Sequence, residues 1–120
     1  MMNPTDLITH EPLSHNDAYI YILEFSGTLG DPSNPKGQAK FYVGKTFDVA
    51  ARLEEHRAGQ GAHITRAAVQ QGLTLNVVAV FKGAGTIERQ IKNQANTPRL
   101  VARLRAGDCP KSLPQPVYVN

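Results

Sequence analysis

An arginine and a histidine stand four positions apart in a stretch that is expected to be helical, Arg52 and His56. Four residues make about one helical turn, so both side chains should lie on the same face of the helix. A guanidinium matches two phosphate oxygens at once, and an imidazole titrates near neutral pH, as a general base requires. Taken alone, Arg52 is also explained as a solvated residue paired with Glu54 or Glu55, and His56 as a partly buried helix residue.

Two tyrosines occupy neighbouring strand-like segments, and a glutamate opens a later helix. Tyr21 and Tyr42 can direct their hydroxyl groups into one cleft if their strands pair, although both also suit ordinary packing of a sheet. A free phenol titrates near about pH 10, so Tyr21 would need a nearby cation to act as a base. Glu88 is a hard oxygen ligand of the kind that Mg²⁺ accepts, but a glutamate in a first helical turn is also favoured by the helix dipole.

The elements that must position these residues can be predicted from composition and periodicity. Apolar and β-branched runs predict strands, and glycine, proline and capping residues mark where helices begin and end. Asp48 is the expected N-cap of the first helix, with Val49, Leu53 and His56 along one side. The expected elements are strands at Tyr19–Leu23, Ala39–Gly44 and Leu73–Phe81, and helices at Val49–Ala58, Ala62–Gln71, Ile87 to about Ala95 and Pro98–Ala106.

The segments between these elements complete the predicted organisation. Residues 1–17 are expected to form a flexible arm, and Ser26–Gly37 a long surface loop rich in glycine and proline. Residues 18–106 form the predicted domain, and residues 107–120 a proline-containing tail that is not helical. The prediction is an α+β fold, with a small three-stranded antiparallel sheet flanked by helices in the order β-β-α-α-β-α.

Charge is distributed unevenly along the chain of 120 residues, whose net charge is +3. The first 35 residues hold five acidic residues and neither lysine nor arginine, whereas residues 36–120 hold thirteen basic and five acidic residues. This asymmetry favours a polyanionic partner, although a solvated helix face explains it equally well. The single cysteine, Cys109, excludes an internal disulfide. There is neither a signal sequence nor an apolar run of about 18 residues, so we expect a cytoplasmic protein with no membrane partner.

In addition, the segment between about Ala18 and Leu104 resembles the GIY-YIG nuclease superfamily. The family signature begins with two strand motifs, matched here by Tyr19-Ile20-Tyr21 and Tyr42-Val43-Gly44. An arginine follows in the next helix, often with a histidine four residues later, and a glutamate opens the last conserved helix. Arg52, His56 and Glu88 occupy these places in the right order. Each motif is weak by itself, but their joint occurrence on the expected elements favours the family.

The resemblance implies a metal-dependent endonuclease that hydrolyses DNA. Glu88 would then bind one divalent cation, Mg²⁺ or Mn²⁺, because no second carboxylate stands at a matching place for a two-metal site. Arg52 would bind the scissile phosphate. In the family, the tyrosines orient or deprotonate the attacking water; here Tyr21 is the favoured group with His56 assisting, and Tyr42 remains an alternative. Among the residues expected to contact substrate, Gly44 would allow close approach of the backbone and Lys45 would contact a phosphate.

The match departs from the family pattern at three places. One is the interval of 21 positions between Tyr21 and Tyr42, which is longer than a tight hairpin requires and fits within the Ser26–Gly37 loop. Tyr19 stands where the first motif expects glycine, and the supporting asparagine beyond the glutamate is either Asn93 or Asn96, with Asn96 preferred. Basic residues of the third and fourth helices would follow the DNA backbone, which gives affinity without reading bases. We therefore expect the protein to nick one strand per event with low intrinsic sequence specificity, unless a targeting or regulatory protein supplies that specificity. These basic residues are Arg89, Lys92, Arg99 and Arg103.

Two other interpretations of the sequence stay open. One is a noncatalytic module with this fold that binds nucleic acid or a protein partner. The other is a small globular protein with no role in nucleic-acid metabolism. A nuclease requires a divalent metal, whereas a noncatalytic binding module does not. A protein with no role in nucleic-acid metabolism would show no salt-dependent affinity for DNA, unlike the nuclease and the binding module.

Overall fold

The computed structural model describes residues 18–30, 39–83, 85–92 and 97–120. Within these ranges the chain is α+β, with an antiparallel sheet between two pairs of helices, as the sequence predicts. The predicted arm at residues 1–17, and Asn93 and Asn96, lie outside the described residues. The elements are β1 Ala18–Leu29, β2 Ala39–Thr46, α1 Val49–Arg57, α2 His63–Gln70, β3 Leu75–Gly83, α3 Gly85–Lys92, α4 Thr97–Arg105 and β4 Tyr118–Val119.

The sheet has four strands in the order β2-β1-β3-β4, and every neighbouring pair is antiparallel. The expectation of three strands was therefore wrong. β4 comes from the segment that the sequence assigned to a tail, and it pairs with Ala79 and Val80 of β3. Backbone hydrogen bonds from Val117 to Val80 (2.7 Å) and from Asn120 to Val78 (2.8 Å) extend this pairing. A two-residue strand after several prolines has too little periodicity to be recognised from sequence.

β1 is longer than its apolar run, because it continues through Glu24 to Leu29. The prediction of a loop beginning at Ser26 was wrong for this part, and residues 31–38 of that loop lie outside the described ranges. Leu29 pairs with Ala39 at the start of β2 after a shift in register. The backbone N–H of Ser26 donates to the Thr74 carbonyl, and its hydroxyl accepts from the Thr74 N–H. Thr74, which lies outside the β1–β2 hairpin, thus stabilises the polar end of β1.

β1 is the central strand, and each of its faces is covered by a different pair of helices. Tyr19, Tyr21 and Leu23 pack with apolar residues of α1 and α2, while Ile20 and Ile22 pack with those of α3 and α4. This is why the run from Ala18 to Leu23 is apolar without alternation, since a strand covered on both sides needs apolar residues at every position.

α1 begins where the sequence predicts and presents its buried stripe to the sheet. The carboxylate of Asp48 accepts a hydrogen bond from the Ala51 N–H at 3.1 Å, which caps the helix. Val49, Leu53 and His56 are the buried residues of α1, so the predicted face is confirmed. His56 consequently points towards β1 and β2. None of the helices among the described residues is long and apolar enough to cross a membrane.

Candidate active site

Tyr21 and Tyr42 lie diagonally across the pairing of β1 with β2. Tyr21 stands opposite Gly44, and Tyr42 stands opposite Leu23, so both phenol rings project from the same face of the sheet. Their ring centroids are 6.2 Å apart with an interplanar angle of 47°. Tyr21 is 2% exposed, whereas Tyr42 is half-buried. The expectation that pairing brings the two phenols into one cleft agrees with this geometry.

Gly44 is required by the packing of the Tyr21 ring. A Cβ atom at this position would overlap the phenol oxygen and ring of Tyr21, and would lie 2.8 Å from Cε2 of Tyr42. Real Cβ atoms do not approach other heavy atoms so closely, so no other residue fits without moving Tyr21. The sequence suggested that Gly44 allows close approach to substrate; the structure gives it a packing function, and its contact with substrate stays a prediction.

His56 completes the cluster from α1. Its imidazole is fully buried, and its centroid lies 5.3 Å from that of Tyr42 and 5.8 Å from that of Tyr21. Nε2 of His56 is 2.7 Å from the Tyr21 hydroxyl oxygen, a short and buried hydrogen bond. The direct contact between Tyr21 and His56 joins a weak acid to a base inside the protein.

The other ring nitrogen of His56 contacts a residue that sequence reasoning missed. Nδ1 lies 2.6 Å from Oγ1 of Thr65, a fully buried residue in the first turn of α2, and the Thr65 hydroxyl donates to the Ala62 carbonyl at 2.9 Å. Gly61 leaves room for the same imidazole, because a Cβ atom there would overlap Nδ1 of His56. Contacts across the turn between two helices depend on tertiary packing, and no periodicity signals them.

Arg52 lies one turn before His56 at the edge of the cluster. Its Nη1 donates to Oε2 of Glu55 at 2.9 Å, and both side chains are partly exposed. Arg52 also interacts electrostatically with the Tyr21 phenol, and this interaction raises the pKa of the guanidinium. The pairing with Glu55 that we considered as an alternative is thus present in the structure. An exposed ion pair of this kind contributes little to stability.

Burial keeps both members of the Tyr21–His56 pair uncharged. It raises the pKa of Tyr21 to about 12, and the nearby Tyr42 acts in the same direction, while Arg52 opposes it. It lowers the pKa of His56 to about 4, and the positive charge of Arg52 adds to this effect. At neutral pH the pair therefore consists of a neutral phenol and a neutral imidazole.

Glu88 lies in the first turn of α3, with its side chain 26% exposed and 3.9 Å from Nζ of Lys92. Although α3 covers the other face of the sheet, the charge of Glu88 raises the pKa of Tyr21, so the carboxylate lies within electrostatic range of the phenol. Within the described ranges, no three His, Cys, Asp or Glu side chains form a group that could hold a metal ion. A single accessible carboxylate still fits Mg²⁺ or Mn²⁺, since Mg²⁺ keeps several waters and takes oxygens from phosphate.

The residues expected to contact substrate are less closely associated with this cluster. Lys45 is exposed at the end of β2 and follows Gly44, so strand alternation directs it to the opposite face from Tyr42. Lys92 is exposed and pairs with Glu88, and Arg99 is exposed in the first turn of α4. The preferred asparagine, Asn96, lies outside the described residues.

Comparison with known proteins places most of the chain in one family. The family model described as the GIY-YIG catalytic domain matches residues 17–100 of the chain. The chain belongs to the GIY-YIG family. A relative from Streptococcus sanguinis (strain SK36), named UPF0213 protein, is 44% identical over 52 residues, which make up 43% of this chain and 47% of that protein. The match thus spans about half of the relative's length. No solved structure matches the chain significantly.

Membership of the GIY-YIG family confirms the resemblance drawn from the sequence motifs. It implies a nuclease-type fold. The departure at Tyr19 has a physical explanation in this chain, because the Tyr19 side chain is buried in the core beneath α1 and α2.

Proposed function

We propose that the chain is a metal-dependent DNA endonuclease that nicks one strand per event with low intrinsic sequence specificity. The observation that carries this proposal is the buried hydrogen bond of 2.7 Å between the Tyr21 hydroxyl and Nε2 of His56, with Arg52 one helical turn before His56. Packing of a sheet requires only the apolar rings of its tyrosines. It does not require a tyrosine to hydrogen-bond to a buried histidine that Thr65 also contacts.

The neutral state of Tyr21 determines how it can activate water. With a pKa of about 12, Tyr21 is a phenol rather than a phenolate at neutral pH, and cannot take a proton without losing its own. We therefore assign it a relay: its oxygen accepts a proton from the attacking water while its own proton passes to Nε2 of His56. The resulting hydroxide attacks phosphorus, and the 3′ oxygen leaves and is protonated by solvent. His56, which is fully buried, then returns its proton to the Tyr21 oxygen, whose own proton passes to solvent.

Arg52 has two effects in this scheme. Its guanidinium binds the scissile phosphate and stabilises the charge that develops during attack. Its positive charge is also one cause of the low pKa of His56. When a phosphate group neutralises that charge, the basicity of His56 increases. Substrate binding thus improves the proton acceptor at the moment when it is needed.

Glu88 would hold the single divalent cation at the rim of the site, with phosphate oxygens and water as the remaining ligands. When bound, the cation supplies Lewis-acid polarisation of the phosphate. Its charge would also offset the effect by which Glu88 raises the pKa of Tyr21. Low specificity is expected because the proposed contacts are with phosphates, which carry no base information.

The first test is relaxation of supercoiled plasmid by the purified chain with Mg²⁺ or Mn²⁺, compared with the same reaction in excess EDTA. We expect nicked circles to accumulate only with metal. Arg52→Ala and Glu88→Ala should each reduce the rate by about 100-fold or more, as removal of a group that stabilises charge in the transition state commonly does.

Two exposed residues offer matched controls. Glu54→Ala removes a carboxylate from α1, and Arg66→Ala removes a guanidinium from α2. Both should leave the nicking rate close to that of the wild type. A wild-type chain that retards DNA on a gel but leaves the plasmid intact would replace the nuclease proposal with a noncatalytic binding module. Nicking that persists unchanged in Glu88→Ala would exclude the proposed metal site.

A further inference from the structure

Thr65 is the buried partner of His56 on the side away from Tyr21. Both residues are fully buried, and Oγ1 of Thr65 stands between Nδ1 of His56 at 2.6 Å and the carbonyl oxygen of Ala62 at 2.9 Å. These contacts join α2 to α1 and end at a backbone carbonyl. They matter because a neutral imidazole carries one proton, and its position decides which ring nitrogen can act as a base.

The hydroxyl of Thr65 has a single proton, and a carbonyl can only accept. With the Thr65 proton directed to Ala62, Oγ1 presents a lone pair to His56, and Nδ1 must be the donor. The one proton of the neutral ring is then on Nδ1, and Nε2 is bare. The contact of 2.7 Å with Tyr21 is accordingly a bond that the phenol donates.

The surroundings of the Tyr21 hydroxyl agree with this assignment. Within the described residues its hydrogen-bond partner is Nε2 of His56. If Nε2 carried a proton and donated it, the Tyr21 proton would have no acceptor in a buried environment. Leaving a buried hydroxyl unsatisfied is unfavourable.

From this geometry we infer that Thr65 is a positioning residue, which holds His56 in the tautomer with its proton on Nδ1 so that Nε2 can receive the proton of Tyr21. The inference rests on the proposed nuclease function for its catalytic consequence, but the tautomer is a property of the free protein. Gly61 contributes by leaving room for the ring beside Thr65. The segment after α1 thereby orients the proton acceptor in addition to connecting two helices.

The test measures the tautomer and the reaction separately. Long-range ¹H–¹⁵N correlation spectra of the uniformly labelled full chain at neutral pH distinguish a ring protonated on Nδ1 from one protonated on Nε2. The chain has four histidines, and the spectrum of His56→Gln identifies the signals of His56 by their loss. We expect protonated Nδ1 and bare Nε2 in the wild-type chain. A wild-type spectrum with the proton on Nε2 would overturn the inference.

Substitutions at Thr65 separate orientation from packing. Thr65→Val keeps the shape but removes the acceptor, so we expect the single tautomer to be lost and kcat for nicking to fall by about 100-fold, the lower range for general acid–base groups, with little change in KM. Thr65→Ser restores the hydroxyl and should recover both the spectrum and most of kcat. Thr74→Val makes the same chemical change at an exposed position and should alter neither.

The outcomes distinguish this inference from the proposed function. If the wild type has the expected tautomer but nicks no DNA, the positioning function of Thr65 stands and the nuclease proposal fails. If Thr65→Val retains both the wild-type tautomer and kcat, the inference is overturned while the nuclease proposal survives. If Thr65→Val does not fold, Thr65→Ala removes the same acceptor and gives the same comparison. A wild-type spectrum with the proton on Nε2 overturns the inference in either case.

Discussion

At the residue scale, burial raises the pKa of Tyr21 and lowers the pKa of His56. Both groups become neutral, so the interior of the cluster holds no net charge at neutral pH. The charged groups, Arg52 and Glu88, are partly exposed. A buried neutral pair with charged groups at its edge can pass a proton without burying an ion in the resting state.

The low pKa of His56 predicts a specific loss of stability in acid. The unfolded histidine titrates near 6.5 and the folded one near about 4, so the unfolded chain binds more protons between these values. Stability is fully present above the unfolded pKa and falls as pH decreases from 6.5 to about 4, by on the order of 3 kcal/mol from this group. Urea unfolding at several pH values in this window measures the loss.

His56→Gln is the control for this pH dependence, because glutamine does not titrate. The difference in unfolding free energy between wild type and variant should shrink as pH falls through the window. The ion pair of Glu24 with Arg105 lowers the pKa of that carboxyl, and its stabilisation is lost only below about pH 4.5 and in both proteins. Parallel pH profiles for wild type and His56→Gln would refute the assignment.

Gly44→Ala should destabilise the fold, against the usual trend for a strand. Alanine is ordinarily better than glycine inside a strand by roughly 0.5–1 kcal/mol. Here the added methyl overlaps the Tyr21 phenol, so we expect a loss of about 1–3 kcal/mol in urea unfolding. In a Tyr21→Ala background most of that penalty should disappear. Equal losses in the two backgrounds would show that the ring and the glycine are not coupled.

At the scale of elements, β4 holds the end of the chain on the sheet. Tyr118 is 9% exposed and packs in the core cluster that contains Tyr21, whereas Val119 beside it is 37% exposed. Nε of Arg105, at the end of α4, donates to the Asn120 carbonyl at 2.9 Å. The terminal segment thus belongs to the domain core, although the sequence suggested a tail.

Neighbouring substitutions in β4 test this function. Tyr118→Ala removes a buried aromatic ring and should cost about 3 kcal/mol of unfolding free energy. Val119→Ala alters the same strand at a partly exposed position and should cost less than about 1 kcal/mol. Both are measured by urea unfolding at neutral pH. If Tyr118→Ala were as mild as Val119→Ala, β4 would contribute little to stability.

The elements that could be predicted from sequence are those with their own local signals. Asp48 marked the start of α1, and the spacing of Val49, Leu53 and His56 identified its buried face correctly. Tyr21 and Tyr42 could be placed on one face of the sheet because cross-strand neighbours follow from the pairing of two strands. The information comes from a helix-cap residue with its apolar spacing in the first case, and from two recognisable strands in the second.

The features that were missed depend on contacts between distant segments. Thr65 reaches His56 only because α2 packs beside α1, and Gly61 is required only because the imidazole lies over it. β4 exists because β3 offers an unpaired edge to Tyr118 and Val119, which are too few to show a period. Such contacts are set by tertiary packing, which overrides local propensity.

At the scale of the whole molecule, the two faces of the sheet carry different groups. α1 and α2 cover the face with Tyr21 and His56, while α3 and α4 cover the other face and carry Glu88 and exposed basic residues. Part of this positive charge is already paired, as between Arg103 and Asp108 at 3.0 Å. Exposed pairs of this kind are weak. Under the proposed function, they can therefore exchange for phosphate.

This division predicts which charges govern the affinity for DNA. Binding to a short duplex, measured by fluorescence anisotropy in EDTA, should weaken with salt, because each neutralised phosphate releases condensed counterions. Lys92→Ala on α3 and Arg99→Ala on α4 should each reduce the slope of log Kd against log salt concentration by about 1. Arg66→Ala on α2 removes a similar exposed charge from the other side of the sheet and should leave the slope unchanged. Equal effects of all three would indicate nonspecific attraction by net charge, and affinity independent of salt would exclude a phosphate-binding surface altogether.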